Sequence, residues 1–305
     1  MRGPAEHRLF YFLPGTGIFG GIKVGCQFAS LLNQLGAHCI LATPDGSAPT
    51  WFRCDVPVVS HASALDTAAA LGRDRATVLF SLPHDYPMLA DSGARLVLHC
   101  QGTDPLIDPI VADRGVTLLS CWPQAARYFR ERGREDGIDV GISISDTFFS
   151  GVRRKQAGHV AWMPRRGAAI GGAAHRRNRD LQFVAIEGNS EDAVADVLRR
   201  CEIFLATAEG EWFGLPVFEA MAARAVVLTV PVVGGMDYLK AGENCLIADP
   251  SEIPSTLAEL ADADREAWRA RLRHVALATA LSLHPQRQAR RVAALLDGPL
   301  AFLRP

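Results

Sequence analysis

The sequence predicts an α/β fold in which two units of similar size, each built on a parallel sheet, follow one another. Short apolar strands alternate with helical segments along the chain, and the strands contain almost no polar residues, as in sheets covered by helices on both faces. A basic stretch with two glycines, Ser150 to Gly158, interrupts this alternation near the middle. The 305 residues are enough for two domains of ordinary size.

The first unit, residues 1–150, opens with a strand, a glycine-rich loop, a helix and a second strand. Leu9–Leu13 is an apolar run that stops at Pro14, and Ile22–Leu35 follows with apolar residues at helical spacing. Further elements are expected in the same alternation: strands at Cys39–Thr43, Thr77–Leu82, Arg95–Cys100, Thr117–Ser120 and Ile138–Ile144, and a helix at Pro123–Arg132.

The second unit is expected over residues 156–284 and repeats the pattern. Its predicted strands are His159–Met163, Gln182–Ile186, Ile203–Ala208, Val226–Val230 and Asn244–Ile247, with helices at Ser190–Arg200 and Leu215–Arg224. From Ser251 the chain is rich in Ala, Leu and Arg and is expected to be helical, with a break at Pro285. We expect the last helix, residues 285–305, to pack back on the first unit.

Composition argues against several classes of protein. The formal net charge of −1 provides no field that would attract nucleic acid or an anionic membrane. Met1 to His7 carries charge and proline rather than an apolar signal core, and no segment approaches the roughly 20 apolar residues that span a bilayer. The seven dispersed cysteines contain no C-x-x-C pair and are typical of buried, reduced thiols. We therefore expect a cytoplasmic protein without a nucleic-acid partner and leave its oligomeric state open.

Two glutamates flank a predicted turn in the second unit. Glu211 follows a strand, Glu219 lies on the next helix, and seven residues separate them, with Pro216 in the first helical turn. Amides at a helix start bind phosphate oxygens through hydrogen bonds and the helix dipole. Carboxylates that accept hydrogen bonds from hydroxyl groups, beside amides that donate to phosphate, suit a polyhydroxy phosphate ester such as a nucleotide sugar.

This segment resembles the E-x7-E motif of the retaining glycosyltransferases of family four. Residues similar to the family's pattern follow in the same order: Ala220-Met-Ala222, Val226-Val227, Gly234-Gly235-Met-Asp237-Tyr238 and Gly242-Glu-Asn-Cys-Leu246. The resemblance implies the GT-B fold, in which two Rossmann-like domains face each other across a cleft. It also implies transfer of a sugar from a nucleotide-diphosphate sugar, by family frequency a UDP-sugar, to an acceptor hydroxyl or similar nucleophile with retention of anomeric configuration.

The resemblance assigns roles to the residues of this motif. Glu219 would hold the ribose hydroxyls of the nucleotide, and Glu211 would contact hydroxyls of the donor sugar. Three backbone amides would lie against the sugar and the phosphates: those of Phe213, Gly214 and Leu215. The Arg- and Ala-rich composition is typical of a GC-rich bacterial genome, in which such enzymes act in polysaccharide or natural-product biosynthesis.

The first unit also contributes to the implied site. Gly20 and Gly21 resemble the family's first glycine loop and would let backbone amides approach a phosphate closely. His99 and Gln101 stand at the end of a predicted strand, where the family often places a histidine against the donor sugar. Both remain candidates for that catalytic position, and His84 is a third.

The diphosphate requires cations, because enzymes of the GT-B class generally work without a bound metal. The family usually supplies an Arg and a Lys here, whereas this sequence offers Arg165 and Arg166, and then Arg176 and Arg177. We take Arg165 and Arg166 as the binding pair, with the choice among the four left open. No metal or other cofactor is expected.

Two other functions remain open on the sequence alone. A nucleotide-sugar-binding partner protein without transferase activity would keep the pocket but lack turnover. A dinucleotide-dependent oxidoreductase is the other, because Gly15, Gly17 and Gly20 have the spacing of the G-x-G-x-x-G motif. However, no acidic residue ends the second strand cleanly, since Asp45 lies beyond Pro44 in a loop.

Overall fold

The computed structural model describes residues 7–304 and divides into two compact units. The first unit runs to Ile142 and takes up the chain again from Gln286, and the second spans Ser143–Pro285. Residues 1–6, which contain nearly all of the segment judged against a signal core, lie outside the described residues, as does residue 305.

The first unit is built on seven strands. They are β1 (Arg8–Phe12), β2 (Cys39–Thr43), β3 (Val58–Ser60), β4 (Ala76–Phe80), β5 (Arg95–Cys100), β6 (Thr117–Ser120) and β7 (Ile138–Asp139). All neighbouring strands pair in parallel, in the order β3-β2-β1-β4-β5-β6-β7. This is the Rossmann order with one strand added, and its direction changes between β1 and β4. The predicted parallel sheet is confirmed.

Six helices accompany this sheet within the described residues. They are α1 (Gly20–Gln34), α2 (His61–Leu71), α3 (Tyr86–Ala90), α4 (Asp108–Ala112), α5 (Pro123–Glu131) and, from the C-terminal end of the chain, α11 (Pro285–Leu296). The core between α1 and the sheet also holds Val292 and Leu296 of α11, both buried. The last helix therefore completes the apolar core of the first unit.

The second unit is built on five parallel strands. They are β8 (Gln156–Trp162), β9 (Gln182–Ala185), β10 (Cys201–Ala206), β11 (Val226–Thr229) and β12 (Leu246–Ile247), in the order β12-β11-β10-β8-β9. The order reverses between β8 and β10, as in flavodoxin-like sheets. The helices of this unit are α6 (Ala168–Arg177), α7 (Glu191–Arg200), α8 (Leu215–Ala222), α9 (Ile253–Ala261) and α10 (Glu266–Ser282).

The first unit ends earlier than the predicted boundary at residue 150. Ser145 Oγ donates to Glu191 at 2.6 Å, and Thr147 Oγ1 donates to Asp192 at 3.0 Å, so the residues just after Ile142 are held by the first turn of α7. These side-chain bonds join segments far apart in sequence, which a local pattern does not reveal. The stretch Ser150 to Gly158, which interrupts the predicted alternation, is a linker only up to Lys155, because β8 already begins at Gln156.

Several other elements depart from the predicted ones. The sequence did not predict β3, α2, α3, α4 or α6, and the strand expected over Ile138–Ile144 contains only Ile138–Asp139. Pro285 begins α11 rather than merely breaking a helix, which agrees with the preference of proline for the first helical turn. Among residues 7–304, no helix has both the length and the apolar character needed to cross a bilayer.

Candidate functional site

An ion pair lies where the strand order of the second unit reverses. Arg166, after β8, places Nη1 2.5 Å from Oε1 of Glu211, after β10, and the two side chains are 44% and 27% exposed. Open α/β sheets bind ligands at the carboxyl ends of the strands beside such a reversal. The structure therefore brings together two residues that the sequence had assigned to different parts of a donor.

The turn that carries Arg166 is held tightly against the end of β10. Thr207 Oγ1 donates to the carbonyl oxygen of Arg166 at 3.1 Å. Gly167 has φ of +83°, and a Cβ atom there would lie 1.9 Å from the carbonyl oxygen of Thr207. Only glycine satisfies both conditions, because other residues rarely adopt this φ and the space is filled by backbone. The position of Arg166 is thus set by the backbone.

The loop after Glu211 is fixed by a second loop that follows β11. The amide of Val233 donates to the carbonyl oxygen of Glu211 at 2.8 Å, and the amide of Gly235 donates to that of Trp212 at 3.2 Å. The Phe213 ring is buried and stacks on Phe218, with ring centroids 4.7 Å apart. The Phe213 side chain therefore anchors the loop in the core, and its backbone amide remains the group predicted to meet a ligand.

Helix α8 begins directly after this loop with its amide end at the carboxyl edge of the sheet. Gly214 precedes the helix with φ of +78° and has no side chain to cap it, and Pro216 occupies the first turn. Glu219 lies one turn further along and is only 6% exposed. It is therefore not a solvated charge on a helix face, and a carboxylate buried beside a helix start is suited to a specific polar partner.

The structure separates the four candidate arginines into two groups. Arg165 and Arg166 precede α6 and are exposed at the carboxyl edge of the sheet. Arg176 and Arg177 lie in the last turn of α6, about 15 Å away along a ten-residue helix that leads back toward the start of β9. Of the four, Arg166 is the arginine in contact with Glu211.

In the first unit, the structure brings Gly21 and Gln101 together. Helix α1 begins at Gly20, without a side-chain cap from Phe19, and a Cβ atom on Gly21 would lie 2.9 Å from Oε1 of Gln101. Gln101 Nε2 donates to the hydroxyl of Tyr11 at 3.0 Å. The predicted glycine loop and the predicted polar residue after β5 thus meet at one edge of the sheet.

His99 does not lie at this edge, and its predicted contact with the donor stays a prediction. Its ring is fully buried, stacks on Phe28 with centroids 4.4 Å apart, and places Nδ1 2.7 Å from the Tyr11 hydroxyl. Burial lowers the pKa of His99 to about 3, so the ring is neutral. The reason is its position inside β5, whereas Gln101 follows the end of the strand.

His84, the third candidate, lies exposed in the short 3-10 helix Pro83–Asp85 after β4. Its neighbour Asp85 has a pKa raised by burial, opposed by the nearby charges of His61 and His84. The strands that precede His84 and Gln101, β4 and β5, are neighbours in the sheet, so His84 remains a candidate at this edge.

The glycines of the dinucleotide alternative are not required by the packing of their own loop. A Cβ atom on Gly15 or Gly17 would meet no protein atom within 4 Å. The carboxylate of Asp45 accepts hydrogen bonds from the amide and hydroxyl of Ser47 within its own turn. Asp45 thus lies in a loop turn beyond β2, as the sequence indicated, and not at the end of the strand.

Two residues of these sites escaped the sequence analysis. Tyr11 looks like one more core aromatic in an apolar run, and Thr207 like a strand end. The one signal in the sequence was that each has a hydroxyl group in a segment expected to be buried. A buried hydroxyl group requires a hydrogen-bond partner. Across the described part of the chain, no group of three or more His, Cys, Asp or Glu side chains is arranged to hold a metal ion.

The segment that contains both glutamates matches a known protein family. Residues 173–266 match the family model of glycosyl transferases group 1. The match begins within α6, includes Glu211 and Glu219, and ends at the start of α10, so it does not reach Arg165 or Arg166. This part of the second unit therefore carries the sequence pattern of group 1 glycosyltransferases. No curated protein matches the chain.

Solved structures share the fold along nearly the whole chain. The HepE protein of Anabaena, solved with UDP and glucose, has a TM-score of 0.73 at 11% identity, covering 96% of this chain and 100% of its own. Sucrose-phosphate synthase from Thermosynechococcus elongatus has a TM-score of 0.69 at 12% identity, covering 97% and 100%. A glycosyltransferase from Rickettsia africae has a TM-score of 0.65 at 10% identity, covering 96% and 98%. The chain has the GT-B fold, as the sequence predicted.

Proposed function

We propose that this protein is a retaining glycosyltransferase of the family-four type that transfers a sugar from a UDP-sugar to an acceptor hydroxyl. The observation that carries the proposal is the arrangement around α8, with a buried Glu219 one turn inside the helix and Glu211 paired with Arg166 beside its start. Support comes from the group 1 family match over this segment and from HepE, a structure of the same fold solved with UDP-glucose.

Within this proposal, Glu219 recognises the nucleotide. Its carboxylate accepts hydrogen bonds from the two ribose hydroxyls, and such bonds are stronger at a site largely removed from water. The amides of Phe213, Gly214 and Leu215 face the phosphates and the sugar, where the positive end of the α8 dipole favours negative charge. The nucleotide is thus bound by a side chain and by the amide end of the same eight-residue helix.

Glu211 and Arg166 act on the parts of the donor that react. A diphosphate competes with Glu211 for the Arg166 guanidinium, because both present anionic oxygens to it. Glu211 is then available to hydroxyl groups of the donor sugar. Arg165, exposed beside Arg166, adds a second cation. These arginines and the helix amides stabilise the leaving diphosphate, and the proposed reaction requires no resident metal or other cofactor.

The first unit supplies Gly20, Gly21 and Gln101. The two glycines bring the first amides of α1 within reach of a phosphate or of the sugar. Gln101 replaces His99 as the polar group that meets the sugar, because it lies after β5 and beside Gly21. Retention follows if the acceptor attacks on the leaving-group face and a phosphate oxygen takes its proton, while the enzyme orients both and stabilises the charge.

Turnover with a panel of donors tests this function. We expect release of nucleoside diphosphate when the protein is mixed with UDP-sugars and a set of polysaccharide or natural-product acceptors, and a product whose anomeric proton coupling in NMR shows retention. Binding of UDP without release from any donor would support the alternative of a non-catalytic partner protein. No binding and no release would remove the proposal altogether.

A further inference from the structure

Tyr11 links the two polar side chains that the sequence could not choose between. Its side chain is fully buried in β1, yet its hydroxyl lies 2.7 Å from His99 Nδ1 and accepts a hydrogen bond from Gln101 Nε2 at 3.0 Å. Burial raises the pKa of Tyr11 well above its ordinary value, so the phenol keeps its proton. The three side chains form one hydrogen-bonded chain from the core to the sheet edge.

This chain determines which end of the Gln101 amide points outward. Since Nε2 is engaged by the Tyr11 hydroxyl, Oε1 lies on the side of Gly21, 2.9 Å from where a Cβ atom on that glycine would be. The amide therefore presents a carbonyl oxygen, a hydrogen-bond acceptor, toward the start of α1. A hydroxyl group can donate to such an oxygen, whereas a phosphate oxygen cannot.

His99 in turn holds Tyr11. Its ring stacks on Phe28 with centroids 4.4 Å apart and packs edge-on against Tyr11 with centroids 5.8 Å apart. A fully buried imidazole without access to a ligand has no direct part in recognition, but a neutral ring at hydrogen-bond distance fixes the hydroxyl of Tyr11 in place. Nδ1 of His99 thus supports the hydroxyl group that holds Gln101.

We propose that Tyr11, supported by His99, is a positioning residue that acts through Gln101 to present its carbonyl oxygen to a hydroxyl group of the donor sugar. This inference rests on the proposed function and deepens it. It makes Gln101 a group that recognises the sugar rather than the nucleotide. The affinity for UDP itself is then independent of Tyr11, while the use of UDP-sugars depends on it.

A double-mutant cycle tests the inference. Tyr11→Phe, Gln101→Ala and the double variant are compared in kcat/KM for release of UDP from the UDP-sugar that the wild type uses best, and in calorimetric affinity for UDP. We expect each single change to lower kcat/KM about tenfold, the double variant to fall no further than Gln101→Ala, and UDP affinity to stay unchanged. Tyr128→Phe, which removes another hydrogen-bonded phenol of the same unit, should leave kcat/KM unaltered.

A purely structural role gives a different pattern. The losses of Tyr11→Phe and Gln101→Ala would then multiply in the double variant, which would overturn the inference while an active wild type keeps the proposed function. If Tyr11→Phe does not fold, the same cycle with His99→Phe takes its place, with the same expected pattern. If the wild type releases UDP from no sugar, the proposed function fails and the inference fails with it.

Discussion

The two ends of β10 carry charges that the protein uses in opposite ways. At the amino end, Glu202 is 6% exposed, meets Arg269 at 3.1 Å and accepts a hydrogen bond from the amide of Gly158 at 3.1 Å. At the carboxyl end, Glu211 meets Arg166 in a pair that remains partly open to water. The hydrogen-bonding groups of the first pair are occupied by other groups of the protein. In the second pair, either side chain can exchange its partner for a ligand.

The difference indicates which charges hold the fold and which serve the site. A buried ion pair leaves an uncompensated charge when one partner is removed, while an exposed pair contributes little to stability. Ion pairing by itself therefore does not mark a functional residue in this protein. Among the ion pairs, position at the carboxyl edge together with exposure distinguishes the pair that we assign to the site. Variants at each end of β10 can separate these two roles by experiment.

The largest effect on stability is expected at the amino end. Arg269→Ala leaves Glu202 buried without its main partner and removes hydrogen bonds to the carbonyl oxygens of Leu260 and Asp262. We expect the free energy of unfolding to fall by about 3–5 kcal/mol. Urea denaturation measures this, with the exposed Arg271→Ala on the same helix as the control, expected within about 0.5 kcal/mol of the wild type. Equal effects of the two changes would remove the distinction between the two ends.

At the carboxyl end, we expect substitutions in the backbone turn to lower the free energy of unfolding more than substitutions of the charged side chains on it. Gly167→Ala forces a residue with a Cβ atom into φ of +83° and against the carbonyl oxygen of Thr207. We expect a loss of at least about 1–2 kcal/mol in the free energy of unfolding. Gly172→Ala, in the middle of α6, is the matched control and should instead stabilise by about 0.5–1 kcal/mol. Two losses of similar size would show that the close approach at Gly167 does not matter.

Arg166→Ala should affect the ligand far more than the fold. The pair with Glu211 is exposed, so the free energy of unfolding should change by no more than about 1 kcal/mol. The affinity for UDP should fall about tenfold, because a charged hydrogen bond to the diphosphate is lost. Arg176→Ala, at the other end of α6, should leave the affinity unchanged. The same loss in both variants would indicate a general effect of charge rather than a site at the carboxyl edge.

In the first unit, one of the buried polar groups is a neutral histidine, His99. Its contribution to the free energy of unfolding can be measured through its dependence on pH. Burial lowers the pKa of His99 to about 3, so between pH 6.5 and 3 the unfolded chain binds a proton that the native state does not. The contribution of His99 to stability is therefore complete above pH 6.5 and falls with decreasing pH, by up to about 1.4 kcal/mol per pH unit. The difference in unfolding free energy between wild type and His99→Phe should shrink as the pH is lowered. A difference that is constant with pH would contradict the buried, neutral ring.

How much the sequence could predict depends on how local the signal was. Apolar runs bounded by turn residues were enough for β1, β2, β5 and β6, whose limits agree closely with the predicted strands. Helix α6 was missed because it contains two adjacent glycines. The structure supplies the reason for Gly171, where a Cβ atom would lie 2.2 Å from the Trp162 ring. The requirement for glycine at this position comes from tertiary packing. Helix propensity gives the opposite signal, because glycine is unfavourable within helices.

The candidate site residues also divide into those with a local sequence signal and those without one. Glu211 and Glu219 were predicted from spacing and from the turn between them, features that are local in sequence. The choice between His99 and Gln101 was not local, because two residues separated by one position point to the same side of a strand. β5 ends at Cys100, so His99 lies within the strand and Gln101 follows it. The partner of Glu211 could not be predicted either, since 45 positions separate it from Arg166.

A calorimetric titration with UDP tests the central claim most directly. The account predicts that the wild type binds UDP and that Glu219→Ala binds it at least about 100-fold more weakly, because two charged hydrogen bonds to the ribose are lost. Glu209→Ala, an exposed carboxylate in the neighbouring loop, should bind as the wild type does, and both variants should remain folded by thermal denaturation. An affinity for UDP that is the same in folded Glu219→Ala as in the wild type would contradict the claim that this buried carboxylate holds the nucleotide.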